Sequence, residues 1–301
     1  MITYERPVSL AALWARRLAR LAFGIFVFSL AAHRFGPVDT SSFVALVLLS
    51  AALALIGVLL AIIGLVRLWQ VAAIGGVASV AALFYALLPL GVAGYALESY
   101  ATKPALSDVT TDLADPPPWI RPPEGEKGWL KPRAPGPADR AAQAEAYPAL
   151  TGRRYEGALD RVLAGVRKVG DQMGIRLTDE QGVENAERDI EDLGPAGKLS
   201  EEPPGDDGPV PIPMARPEMI LPEDRPTGLR ASDILLQGEW RSLVVGARYD
   251  LVIRLREEAE TTFVDIRTAA RFGPHDLGTS AAIAERFLHA LDAELLGIAG
   301  D

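Results

Sequence analysis

Four arginines and three aspartates crowd the stretch from Asp250 to Asp276. Paired guanidinium groups hold a carboxylate or a phosphate in a fixed fork. If the two strand-like runs that carry them pair side by side, Arg254, Arg256, Arg267 and Arg271 share one surface with Asp250 and Asp265. Asp276 and Gly278 then lead into the N-terminus of a helix, where free backbone amides favour an anion. Two chemistries fit this set. One is an anion-binding or partner-binding face made by Arg254, Arg256, Asp265, Arg267, Arg271, Asp276 and Gly278, taking a protein carboxylate or a lipid head group. The other is a lattice of cross-strand ion pairs, with Asp276 fixing Arg267 or Arg271 to set a turn.

Other chemistry finds little to work with. His33, His275 and His289 lie in unrelated contexts without metal-ligand spacing, so neither a metal nor a cofactor is expected. No Gly-x-Ser-x-Gly elbow is present. Gly194-Pro195-Ala196-Gly197 runs on into Lys198-Leu199, without the Lys-Ser or Lys-Thr of a phosphate loop. The acids Glu184, Glu187, Asp189, Glu191 and Asp192 read as a solvated charge run. Asp265 or Asp276 acting as a base is the enzymatic alternative, and it needs a concave pocket.

The elements that must position these groups follow from periodicity. Tyr155, Leu159, Val162, Val166, Val169 and Met173 recur at helical spacing and form one buried face. Strand-like runs occupy Ile234–Leu243, Tyr249–Arg256 and Thr261–Phe272. In the second, Tyr249, Leu251, Ile253 and Leu255 alternate with Asp250, Val252, Arg254 and Arg256. A closing helix over Ser280–Leu296 buries Ile283, Phe287, Leu288, Leu291 and Leu295. The expected fold class is an α+β domain, an antiparallel sheet with two packed helices. It spans 149–301 and is interrupted by a proline-rich and acidic insertion at 195–226. Proline also crowds 101–148, which is expected to wrap the domain as an extended linker without ladder or helix, Trp119 and Trp129 packing on its surface.

Ahead of this domain, residues 1–100 predict an all-α membrane anchor of three transmembrane helices. Phe43–Val66 and Leu68–Leu97 are charge-free runs of 24 and 30 residues, where about 20 suffice to cross a bilayer. Pro89 is tolerable as a kink. The spans are placed near 14–34, 43–66 and 71–97. The first is short, lies partly in the interface with Arg16, Arg17 and Arg20 snorkelling, and reads alternatively as a cleaved signal peptide ending at Ala31-Ala32. No span is expected to carry an interior charge, which disfavours transport. Gly57, Ala61 and Gly64 form a small-residue stripe, for packing among the three helices or for a dimer seam. Arg6, Arg16, Arg17, Arg20 and Arg67 mark the cytoplasmic side. That predicts a cytoplasmic N-terminus and a periplasmic domain at a bacterial inner membrane.

The charge is asymmetric. Residues 1–100 hold six arginines and three acids, net +3, and the rest hold 24 bases and 36 acids, net −12. So acidic a domain is a poor nucleic-acid binder. With no cysteine, disulfides, thiol catalysis and thiolate metal sites are all excluded.

Asp108-Val109-Thr110-Thr111-Asp112-Leu113-Ala114-Asp115-Pro116-Pro117 resembles the bacterial and plastid family called domain of unknown function 1499. So does Asp265-Ile266-Arg267-Thr268-Ala269-Ala270-Arg271-Phe272-Gly273 with Asp276-Leu277-Gly278. The hydrophobic segments with His33-Arg34-Phe35-Gly36 are similar to its anchored members, so that the resemblance covers about two thirds of the chain. Thr268 and Ala270 stand where serines are usual, and Ser280 where asparagine is. The resemblance implies an envelope module and no activity. Together these readings give a non-catalytic, membrane-tethered binding or protein-interaction module. The alternatives are an accessory subunit or assembly factor acting through its helices, and an envelope enzyme. Its partners are the lipid bilayer and either a membrane protein or an anionic lipid head group.

Overall fold

The computed structural model describes residues 7–71, 73–186, 233–258 and 261–297. The insertion at 195–226 and the acidic run from Glu187 lie outside them. Three long helices come first: α1 (Leu10–Phe35), α2 (Thr40–Val71) and α3 (Gly76–Thr102). Ser9 caps α1, its hydroxyl accepting from the Ala12 amide at 3.3 Å. At a rise of about 1.5 Å per residue, even the 26-residue α1 exceeds a hydrocarbon core of about 30 Å. All three are long and apolar enough to cross a membrane.

The bundle is packed with small side chains. Ala12, Ala15, Ala19 and Ala22 of α1 meet Ala54, Gly57, Ala61 and Gly64 of α2, with Ala82 and Ala86 of α3 closing the seam. A β-carbon on Gly57 would stand 3.3 Å from that of Ala19. One on Gly64 would stand 2.9 Å from that of Ala12 and 2.5 Å from the Ser79 hydroxyl. The glycine stripe thus serves close approach inside one chain, while leucines and isoleucines face outward. The first span differs from expectation. It is a full-length helix, and Arg16, Arg17 and Arg20 lie within it. The three arginines stand in its N-terminal half. Arg20 Nε donates to the Arg16 carbonyl at 3.4 Å, and Arg17 lies over the Trp14 ring.

The domain is one antiparallel sheet of β1 (Asp108–Thr110), β2 (Arg153–Glu156), β3 (Arg176–Gln181), β4 (Ile234–Arg241), β5 (Arg248–Glu258) and β6 (Thr261–Ala270). The strands are ordered β1-β6-β5-β4-β3, and β2 also pairs with β6. The first residues of β6 pair with β2 and its last with β1. The helices are α4 (Pro137–Ala146), α5 (Leu159–Gln172) and α6 (Thr279–Leu296). Alternation puts Leu251, Ile253, Leu255, Val264 and Ile266 on one face, buried under Val162 and Val166 of α5 and Phe287, Leu288 and Leu291 of α6. Each such side chain contributes about 1.5–3 kcal/mol when taken out of water. Gly165 lets α6 close in, since a β-carbon there would stand 2.8 Å from Leu295 Cδ2.

Two local expectations fail. Tyr155, which fits the helical period of α5, belongs to β2, because Gly157 at φ +137° breaks the chain between them. It is buried all the same, and its hydroxyl donates to Asp292 of α6 at 2.7 Å. The 101–148 stretch, expected to hold neither ladder nor helix, holds both β1 and α4. Its prolines spare Asp108–Thr110, and Pro137 sits in the first turn of α4, where a missing amide costs nothing. The Gly136 amide donates to Asp139 Oδ2 at 2.7 Å there.

Candidate functional site

Pairing of β5 with β6 sets Arg254 opposite Asp265 and Val252 opposite Arg267. The outer face of the sheet, away from α5 and α6, therefore gathers Arg254, Arg256, Arg267 and Arg271. That face is not open. The chain between β1 and α4, a strap over residues 111–136, runs across it and supplies carboxylates.

Arg254 is wholly buried. Its Nη1 donates to Asp115 at 2.9 Å, and its Nη2 to Asp112 at 3.0 Å and Asp265 at 2.8 Å. Arg256 reaches Asp115 and Asp233, each at 3.3 Å. Arg267 forks onto Asp108 through Nε at 3.0 Å and Nη2 at 2.8 Å, donates to the Pro117 carbonyl, and lies 5.0 Å over the Trp119 ring. Arg271 grips Asp250 and also reaches Glu239. Arg140 and Arg176 complete the lattice at Asp108 and Glu239. Six arginines thus face seven carboxylates (Asp108, Asp112, Asp115, Asp233, Glu239, Asp250 and Asp265), which leaves no net positive field. Gln237 pins the strap as well: its Oε1 accepts from the Ile120 and Arg121 amides, and its Nε2 donates to the Arg121 carbonyl.

Burial pushes the Asp265 carboxyl up, against hydrogen bonds from Arg254 and Thr111 that pull it back. The Asp250 carboxylate, with Glu239 behind it, raises Arg271 despite burial. Burial alone would raise Glu239, but bonds from Arg271 and Arg176 outweigh it and hold that carboxyl below its usual range.

Asp276 and Gly278 stand apart from the arginines. The Asp276 carboxylate accepts from the Gly278 amide at 2.9 Å and the Ser280 amide at 2.6 Å, so it fills the anion position of α6 itself. Because α6 packs on the core face of β6, where Thr268 Oγ1 donates to the Ser280 carbonyl, Asp276 lies across the sheet from Arg267 and Arg271. It fixes neither of them.

The residues that reading the sequence missed are the partners. Asp108, Asp112 and Asp115 are visible as acids ahead of a triple proline, but more than a hundred residues separate them from the arginines they meet. Glu239 and Gln237 carried no signal beyond alternation in β4. Trp119 packs on Arg267 of β6, whereas Trp129 is 63% exposed.

Residues 214–291 match a family model described as a protein of unknown function, DUF1499. That range contains β4, β5, β6 and most of α6, hence all four arginines of the face. It does not include Asp108–Pro117, so the strap that neutralises them lies outside the matched range. No curated protein and no solved structure matches the chain.

Proposed function

We propose, for a chain whose residues 214–291 match the DUF1499 family model and follow three helices able to cross a bilayer, a membrane-anchored, non-catalytic interaction module whose domain is held in one fixed pose against the membrane face. The observation that carries this is that the junction is stitched on every side. The Thr40 amide at the start of α2 donates to Glu126 Oε2 at 2.9 Å, and the Leu130 amide to the Ser41 hydroxyl at 3.2 Å. Lys103 donates to the Leu277 carbonyl at 3.0 Å. Arg241 donates to the Arg34 carbonyl at 2.6 Å. His275 stacks on Tyr100, its Nδ1 accepts from the Leu277 amide, and its Nε2–H donates to the Lys103 carbonyl at 3.2 Å. A domain on a free tether needs none of these bonds.

The two carboxylates considered as bases are both engaged: Asp265 is buried against Arg254 and Thr111, and Asp276 caps α6. That supports a binding role over catalysis. The arginine face serves first as the strap's latch, and an outside anion reaching it has to displace Asp108, Asp112 or Asp115. The arginines Arg16, Arg17, Arg20 and Arg67 lie toward the end of the bundle away from the domain. By charge bias that end is cytoplasmic, and the domain is periplasmic at a bacterial inner membrane.

The pose is tested by cross-linking. The chain has no cysteine of its own, so Ser41→Cys with Leu130→Cys gives a clean pair. It is expected to close under mild oxidant in native membranes. A folded protein that does not cross-link would remove the fixed pose. Recovery of a stoichiometric membrane-protein companion in mild detergent, lost when the helices are replaced by an unrelated anchor, would make the module an accessory subunit.

A further inference from the structure

Where the β4–β5 hairpin meets the end of α1, three further arginines come together. Arg241 and Arg248 are cross-strand partners, a like-charged pair that costs stability. Arg34, in the last turn of α1, donates from Nε to the Leu243 carbonyl at 3.1 Å, and Arg241 donates back to the Arg34 carbonyl and to Gly246. Among the described residues none of the three has a carboxylate partner. The acids on this rim are turned elsewhere, Asp39 to Ser42 and Glu126 to the Thr40 amide. Burial, then the charges of Arg34 and Arg248, pulls Arg241 below the ordinary guanidinium range.

The hairpin is pressed onto the helix. Gly246 has φ +86°, and a β-carbon on it would stand 3.0 Å from Arg34 Cδ and 3.1 Å from its Cα. At the tip Leu243 is 83% exposed and Val244 69%, and Phe35 beside them is 86% exposed. This level, where α1 ends and α2 begins, is where a spanning helix passes through the head-group layer. A protein with a net −12 outside its anchor therefore puts unpaired cations and bare apolar side chains together at the membrane surface.

We propose that this corner binds an anionic phospholipid of the leaflet on the domain's side, with Arg34, Arg241 and Arg248 around the head-group phosphate and Leu243 and Val244 entering the acyl boundary. A phosphate relieves the repulsion across the hairpin, and the tip supplies the apolar contact that a soluble anion could not use. The inference rests on the docked pose proposed above. The Ser41–Leu130 cross-link reports that pose independently, so the two can fail separately.

The test uses the full chain in detergent, with native mass spectrometry against phosphatidylglycerol and phosphatidylcholine. Bound phosphatidylglycerol is expected in excess. The excess should fall about fivefold for each arginine removed in Arg34→Gln and Arg248→Gln, and persist in Arg248→Lys. Should Arg34→Gln lose the fold, Arg248→Gln decides alone, since that side chain makes no hydrogen bond or ion pair among the described residues. In phosphatidylglycerol vesicles, a polarity-sensitive dye on Val244→Cys is expected to report an apolar surrounding. Equal binding of the two lipids, or a dye spectrum unchanged from water, overturns the proposal. So does inorganic phosphate that displaces the lipid as readily from wild type as from Leu243→Ser/Val244→Ser, which would mean an anion site that ignores the bilayer.

Discussion

Two arginine clusters lie on the same sheet, and they are opposites. On the outer face Arg254, Arg256, Arg267 and Arg271 each meet at least one carboxylate, and Arg254 meets three while wholly buried. At the other edge Arg34 and Arg241 donate to backbone carbonyls, and Arg248 stands opposite Arg241 across the hairpin. A guanidinium out of water is tolerable only with its charge answered. The first cluster is answered by the chain itself and works as structure. Among the described residues no carboxylate answers the second, which is the opening the proposed lipid phosphate would fill. Residue type does not distinguish the two, but the count of opposing carboxylates does.

The sharpest way to break the comparison is Arg254→Leu. It strands Asp112, Asp115 and Asp265, and should cost about 3–5 kcal/mol in unfolding of the full chain in detergent. Adding Asp265→Leu should return part of that loss. Gly246→Val should cost about 1–2 kcal/mol, since a left-handed backbone conformation is forced on a branched residue and the hairpin is pushed off Arg34. A slower Ser41–Leu130 cross-link would accompany it.

Acid should separate the clusters next. The Glu239 carboxyl is held low by Arg271 and Arg176 against burial, and Asp179 is held low by Arg121. Stability from a depressed carboxyl is present above the unfolded value and lost as pH falls through the folded one, so the latch should weaken below about pH 4. Asp265 is raised and works the other way, its share growing as pH falls. Among the described residues the edge arginines hold no carboxylate, so lipid binding there should outlast the latch, as thermal midpoints and lipid retention on one pH series would show. The smallest effect expected is that of Arg248→Gln on stability, within about 0.5 kcal/mol and toward the stable side, because it removes a repulsion. A loss above about 1 kcal/mol would mean that Arg248 has structural work and that the clusters are less different than drawn.

Much of this architecture was legible from periodicity. The run from Tyr249 to Arg256 assigned inner and outer faces correctly, because a period of two admits no other reading once one face is apolar. The closing helix and the three long helices were equally plain. What escaped were short, polar or distant elements. β1 is three residues long and β3 alternates without a strong apolar face, so neither stands out against turn-rich surroundings. Tyr155 matched a helical period by accident, and only the backbone at Gly157 separates it from α5. Both arginine clusters show the same limit. Their residue types were visible, but whether each charge was answered depended on Asp108, Asp112 and Asp115, and on a hairpin bend that brings Arg34 next to Arg241. Those are facts of tertiary contact, and no local pattern encodes them.

The strap also has a consequence in time. Asp108 binds Arg267 at a separation of 159 residues, and Asp112 binds Arg254 at 142. At translation rates of roughly 5–20 residues per second, these aspartates precede their arginines by about 8–30 seconds. Throughout that interval the strap, four acids and four bases over 111–136, is free of the surface it will cover. β5 to α6, made later, closes the domain over the strap made earlier. A ribosome that stalls anywhere in between leaves an anchored protein with no latch, which any protease on that face of the membrane can tell from the finished one.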